Sequence, residues 1–168
     1  GGGESEVTPA TTNVLLEVAS WDLINIRRSV HAQQLQSSQA GYRFSRGVHP
    51  AIAPRANRRA AEMMRELGDG RIAQELIEEY PRPFPPVVVE LPLAEIERNL
   101  GITIPTDEVT RILTALEFSV EKKGAELQVT VPEHRLDIGV GAVGISDLVE
   151  EIARIYGFER IPETQISD

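Results

Sequence analysis

Residues 147–158 read Asp147-Leu148-Val149-Glu150-Glu151-Ile152-Ala153-Arg154-Ile155-Tyr156-Gly157-Phe158. The spacing is that of an amphipathic helix. Leu148, Val149, Ile152, Ile155 and Tyr156 form an apolar stripe, while Asp147, Glu150 and Glu151 share an arc of about 100°. Three like charges on the first turn of such a helix are unfavourable unless something positive offsets them: the helix N-terminus, a metal ion or a cationic partner. One reading is a capping box, with Asp147 as the cap and Glu150 reaching back to it. That leaves Glu151 and the upstream acid Asp137 unexplained. The other reading is a hard-cation site, since Mg²⁺ takes oxygen ligands and is commonly held by one or two carboxylates with waters.

Upstream of this helix the chain alternates strand and helix signals. Val87 to Leu91 is a β-branched run expected to form a strand. Pro92 opens a short helix with Leu93, Ile96 and Leu100 inward, and Gly101 ends it. Thr106 is expected to cap the next helix, with Asp107 and Glu108 on the positive end of its dipole. Val109, Ile112, Leu113 and Leu116 follow at i, i+3, i+4 and i+7. Phe118 to Glu121 and Glu126 to Val131 then flank Lys122-Lys123-Gly124-Ala125 as a β-hairpin. Gly157 is expected to close the last helix as a left-handed cap. The order strand, helix, helix, hairpin, helix is similar to a winged-helix plan, a fold used for DNA binding. A DNA reader needs basic or amide side chains on its recognition helix. The helix at 106–117 offers Asp107, Glu108 and Glu117 against Arg111 alone, which favours protein contacts.

A proline-rich stretch, Pro81-Arg82-Pro83-Phe84-Pro85-Pro86, separates this part from the first. Before it, Thr12 to Val18 has the apolar density of a strand, and Asp22 precedes a helix running toward Leu35. Ser37 to Gly41 is rich in turn-formers. Pro54 sits in the first turn of a helix carrying Ala56, Ala60, Met63, Met64 and Leu67, ended by Gly68-Asp69-Gly70. The methionines read as core filler. Arg71 to Tyr80 fits either helix or strand.

The 168 residues carry 41% hydrophobic and 26% charged side chains, a globular balance. There is no cysteine, which excludes disulfides and thiolate metal sites and fits a cytoplasmic setting. No apolar run is long enough to span a bilayer, so no membrane partner is expected. The first residues, Gly1-Gly2-Gly3-Glu4-Ser5-Glu6-Val7-Thr8, read like the inside of a loop, as expected of a segment of a longer polypeptide. The net charge of −9 is uneven: residues 1–85 hold ten acids and ten arginines, and residues 86–168 hold sixteen acids against seven Lys/Arg. The acidic second part repels a phosphate backbone.

Three separated motifs carry a family resemblance. Gly2-Gly3-Glu4-Ser5-Glu6-Val7-Thr8 leads into Val14-Leu15-Leu16-Glu17. Arg43-Phe44-Ser45-Arg46-Gly47-Val48-His49-Pro50 follows, with His49 where the family has aspartate. Pro132 to Ile138 and Asp147 to Gly157 complete the set. The chain resembles the beta chain of bacterial phenylalanyl-tRNA synthetase over nearly its whole length. The resemblance implies an α+β chain: residues 1–82 as the C-terminal part of a B3/B4 editing domain, 83–86 as linker, 87–160 as a small winged-helix-like B-five domain, and 161–168 as a tail.

It further implies an alpha2-beta2 heterotetramer in which the alpha chain, not this one, joins phenylalanine to tRNA(Phe) with ATP and Mg²⁺. No catalytic residue is expected here. By the same resemblance Asp137, Asp147, Glu150 and Glu151 coordinate a Mg²⁺ shared with the alpha chain, and Glu17, Ser38 and Ala40 belong to a pocket that removes mischarged tyrosine. A carboxylate orients the tyrosine hydroxyl there, and a small alanine leaves room for the ring. The chain departs from the family in the insert Gly139-Val140-Gly141-Ala142-Val143-Gly144, which lengthens the spacing between Asp137 and Asp147. Without the alpha chain, weak or no Mg²⁺ binding is expected. The alternative of a different class is a winged-helix nucleic-acid-binding module.

Overall fold

The computed structural model of the chain describes residues 3–35 and 38–162. Ser37 of the expected turn and residues 163–168 of the expected tail lie outside them. The chain is α+β and divides into two compact units, Gly1–Pro83 and Phe84–Asp168.

In the first unit Asp22 caps helix α1, Leu23–Ala32, its Oδ1 accepting the Asn25 N–H at 2.8 Å. Ser38 caps α2, Gln39–Phe44, through Gly41 N–H at 3.0 Å. The side chain of Arg27 donates to the Ser45 carbonyl at 2.6 Å and ties the two helices together. A single 3-10 turn at Pro50–Ile52 leads into α3, Ala53–Gly68, which has proline in its first turn. The left-handed residue that stops α3 is Asp69 at φ 48°, rather than a flanking glycine. Three expectations fail in this unit. Residues 12–18 form no strand, because the stretch finds no partner strand among the described residues, and Leu15 is 93% exposed. Residues 71–80 adopt neither helix nor strand. Met63 and Met64 are exposed, and no described residue of the unit is buried.

The second unit holds the core. Strand β1, Val88–Pro92, ends on the proline that starts α4, Leu93–Leu100, and Gly101 stops α4 at φ 68°. Helix α5, Thr106–Ala115, begins one residue earlier than expected: Pro105 stands at the cap and no side chain caps the end, while Asp107 and Glu108 occupy the first turn. Strands β2, Ser119–Lys123, and β3, Glu126–Thr130, form a tight hairpin around Gly124-Ala125, with Gly124 at φ 64°. The sheet is antiparallel in the order β1-β3-β2, with Val89 opposite Val129, Leu91 opposite Leu127 and Val120 opposite Val129. Alternation sends Val89, Leu91, Leu127 and Val129 to one face. There they meet Ile96 of α4, the Val109-Ile112-Leu113 face of α5, and Leu148, Val149 and Ile152 of the last helix.

That last helix, α6, spans Gly141–Tyr156 and so begins six residues before Asp147. The glycine-rich insert is therefore its entry rather than a loose connector. Val140 stands at the cap with no side-chain bond, so the Asp147–Glu150 capping box does not form. Packing is the reason. Gly144 is buried so tightly that a Cβ there would lie 2.4 Å from the Gly139 carbonyl oxygen and 2.8 Å from Val89 Cγ2. Gly157 ends the helix at φ 110°, a positive φ but not the left-handed helical cap expected.

Candidate functional site

Because α6 starts early, the three acids of the opening stretch lie on its middle turns, beyond the reach of the first-turn N–H groups. Their partners come from elsewhere. The segment leaving β3 brings Arg135 under Glu151. The Arg135 guanidinium forks onto Asp137, with Nε at 2.9 Å from Oδ1 and Nη2 at 2.7 Å from Oδ2, and Nη2 also reaches Glu151 Oε1 at 3.0 Å. Arg154, one turn along α6, donates to the other Glu151 oxygen at 2.5 Å. The Phe118 ring stands beside the Arg135 guanidinium at 5.6 Å. The side chains of Arg135 and Glu151 are 18% and 13% exposed, whereas Asp137 is 65% exposed. The Arg135–Glu151 contact is thus mostly withdrawn from water, and the Asp137 contact lies at its rim.

The charges respond to this arrangement. Hydrogen bonds from Arg135 hold Asp137 below the usual carboxylate range against its partial burial. Burial raises the Glu151 pKa, but the bonds from Arg154 and Arg135 together outweigh it and leave it lowered. Bonding to Asp137, offset in part by burial and aided by Glu151, raises Arg135. A carboxylate with a lowered folded-state pKa stabilises the fold above its ordinary value near about 4, and that contribution is lost as pH falls through the lowered value. Acid titration followed by circular dichroism is therefore expected to show stability falling below about pH 4, with a shallower fall in Asp137→Asn. Identical profiles for the two proteins would remove the network from the account.

The four acids do not converge. Asp147 is half-buried, and its Oδ2 accepts the Gly139 N–H at 2.8 Å, which pins the glycine turn to the helix. Glu150 is exposed on α6. Among the described residues no three His, Asp or Glu side chains are grouped so as to hold a metal. With Asp137 and Glu151 engaged by Arg135, the donor set does not fit a magnesium ion in this arrangement. The organising residues, Arg135 and Arg154, had no role in the sequence reading. Arg135 stood inside a quoted motif, yet its reach to Glu151 sixteen residues on exists only through the fold.

In the first unit a groove of about 630 Å³ opens between α1 and α2, lined among others by Arg27, Val30, His31, Leu35, Tyr42 and Ser45. Glu17, Ser38 and Ala40 are not part of its wall. Glu17 is exposed on the irregular stretch before α1, Ser38 serves as the α2 cap, and Ala40 is exposed on α2. On α5 the single basic residue, Arg111, is held by Glu108 through two bonds of 2.7 Å. No described helix is long and apolar enough to cross a membrane.

Residues 89–158 match the tRNA synthetase B5 domain family, and residues 1–69 match the B3/4 domain family. Phenylalanine–tRNA ligase beta subunits match nearly the whole chain. The one from Salinibacter ruber is 40% identical over 98% of this chain and 19% of its own length. Those from Moorella thermoacetica and Thermotoga maritima are 43% and 39% identical over 98% and 99% of the chain, and 20% of their own lengths. The chain thus spans about a fifth of the length of the curated relatives it matches. With both domain matches in sequence and the same relatives covering both, the chain belongs to the phenylalanine–tRNA ligase beta-subunit family.

Proposed function

We propose that the chain serves a cytoplasmic phenylalanine–tRNA ligase as part of its beta subunit. It contacts the alpha subunit, which joins phenylalanine to tRNA(Phe) with ATP, and contributes through residues 1–69 to the editing of mischarged tyrosine. The observation that carries this reading is the pair of domain matches, B3/4 then B5, within one alignment that covers 98% of the chain. The surface of the second unit supports the alpha-chain contact: Leu136, Val140 and Val143 are 48%, 66% and 63% exposed around the entry to α6. Exposed apolar side chains close together along the chain suit a protein partner. The editing part, with Glu17, Ser38 and Ala40, rests on the family likeness alone. In this chain by itself Asp137 and Glu151 are engaged by arginine and one Asp147 oxygen by a backbone N–H, an arrangement that disfavours magnesium.

Co-expression with a phenylalanine–tRNA ligase alpha subunit, followed by affinity capture of this chain, tests the contact. Retention of the alpha subunit is expected, with loss on joint Val140→Asp and Val143→Asp substitution in a chain that keeps its helical signal. No retention by the native chain would sink the proposal.

A further inference from the structure

We infer that the Arg135 guanidinium is the resident cation between Asp137 and Glu151 of α6, so that a divalent ion competes with it instead of adding to it. Charge and geometry both support this. Asp137 and Glu151 carry two negative charges, and Arg135 and Arg154 supply two positive ones in direct contact with them. The group is neutral as it stands, and a further doubly charged ion gains nothing there unless a guanidinium leaves. Arg135 bonds both oxygens of Asp137 and one of Glu151, and Arg154 bonds the other oxygen of Glu151. A planar fork matches paired carboxylates in this way, whereas an ammonium group acts only as a point charge. Phe118 stands over the guanidinium, and Arg135 is mostly withdrawn from water. The acids outside the network give no substitute site, since Asp147 holds the Gly139 N–H and Glu150 is exposed.

Without the guanidinium, the Asp137 carboxylate is left uncompensated and Glu151 keeps only Arg154, so the pair carries a net negative charge. A divalent cation carrying its own waters suits that environment. Arg135 is a positioning residue in this account, holding the segment after β3 against α6.

Two measurements on the whole chain test the inference. Calorimetric titration of the native chain with MgCl₂ is expected to show no saturable heat. The Arg135 Nε–H signal in a ¹⁵N-resolved spectrum is expected to stay in place when NaCl is exchanged for MgCl₂ at equal ionic strength. Saturable submillimolar Mg²⁺ binding that leaves that signal in place overturns the inference, because the ion would then add to the guanidinium instead of competing with it. In Arg135→Met, the melting midpoint is expected to fall, and to rise again by about 4 °C or more in about 10 mM Mg²⁺. The native midpoint is expected to move by less than about 1 °C under the same exchange. A folded Arg135→Met chain that responds to Mg²⁺ no more than the native one also overturns it. If that variant does not fold, the two native-chain measurements still decide. None of these readings depends on an alpha subunit, so a failed capture experiment leaves them standing, and the reverse.

Discussion

Gly144→Ala is expected to destabilise the second unit by about 1–3 kcal/mol, the penalty for overpacking a filled core. The sign is the informative part. In an ordinary helix interior the same change stabilises by about 1 kcal/mol, because glycine has more backbone freedom to lose than alanine. Gly144 is an α6 residue, so propensity alone forecasts a gain. The added methyl, however, would stand 2.4 Å from the Gly139 carbonyl oxygen and 2.8 Å from Val89 Cγ2. The first obstacle is backbone and cannot rotate away. The second is a fully buried side chain on β1. Relief requires α6 to lift from the sheet, and that would disturb the Asp147–Gly139 hydrogen bond as well. Urea unfolding followed by circular dichroism measures the difference, and an unchanged or raised midpoint would show that the close approach is not part of the fold in solution.

Leu148→Ala is expected to cost more, about 2–5 kcal/mol, the range for removing a leucine side chain from a filled interior. Leu148 has no exposed surface and lies among the core residues where α6 faces the sheet. Leu15 is the internal control. It is the same residue type, 93% exposed, on a stretch with no regular structure. Leu15→Ala is expected to move the same unfolding transition by no more than about 0.5 kcal/mol. Equal losses from the two substitutions would refute the division between a second unit with a buried core and a first one with no buried residue among those described.

How much of this was legible in the sequence depended on how local each signal was. The α5 face shows directly in the spacing of Val109, Ile112 and Leu113, and all three are fully buried. Gly101 and Gly124 announce their positions because only a positive φ ends α4 and turns the hairpin in so few residues. The stretch at 12–18 was misread because a strand exists only beside another strand, and composition carries no information about the partner. The start of α6 was hidden for the opposite reason. A run of glycines argues against helix on propensity, and what overrides it is a contact with Val89, far off in the chain. At the site, the acids were visible as a pattern, but their cations were not. Arg154 lies within one turn of Glu151, whereas Arg135 reaches it only after the chain has doubled back.

The bond from Arg135 to Glu151 also has a topological meaning. It closes the stretch from 135 to 151 into a ring that starts just after β3 and whose second part is α6 itself. Closing a ring of this size costs chain entropy that rises only slowly with length, so the glycine insert adds little to the cost. The insert can therefore lengthen the connection without loosening it, provided the clasp holds. Length is tolerated here because one side chain, rather than the backbone between, sets the distance.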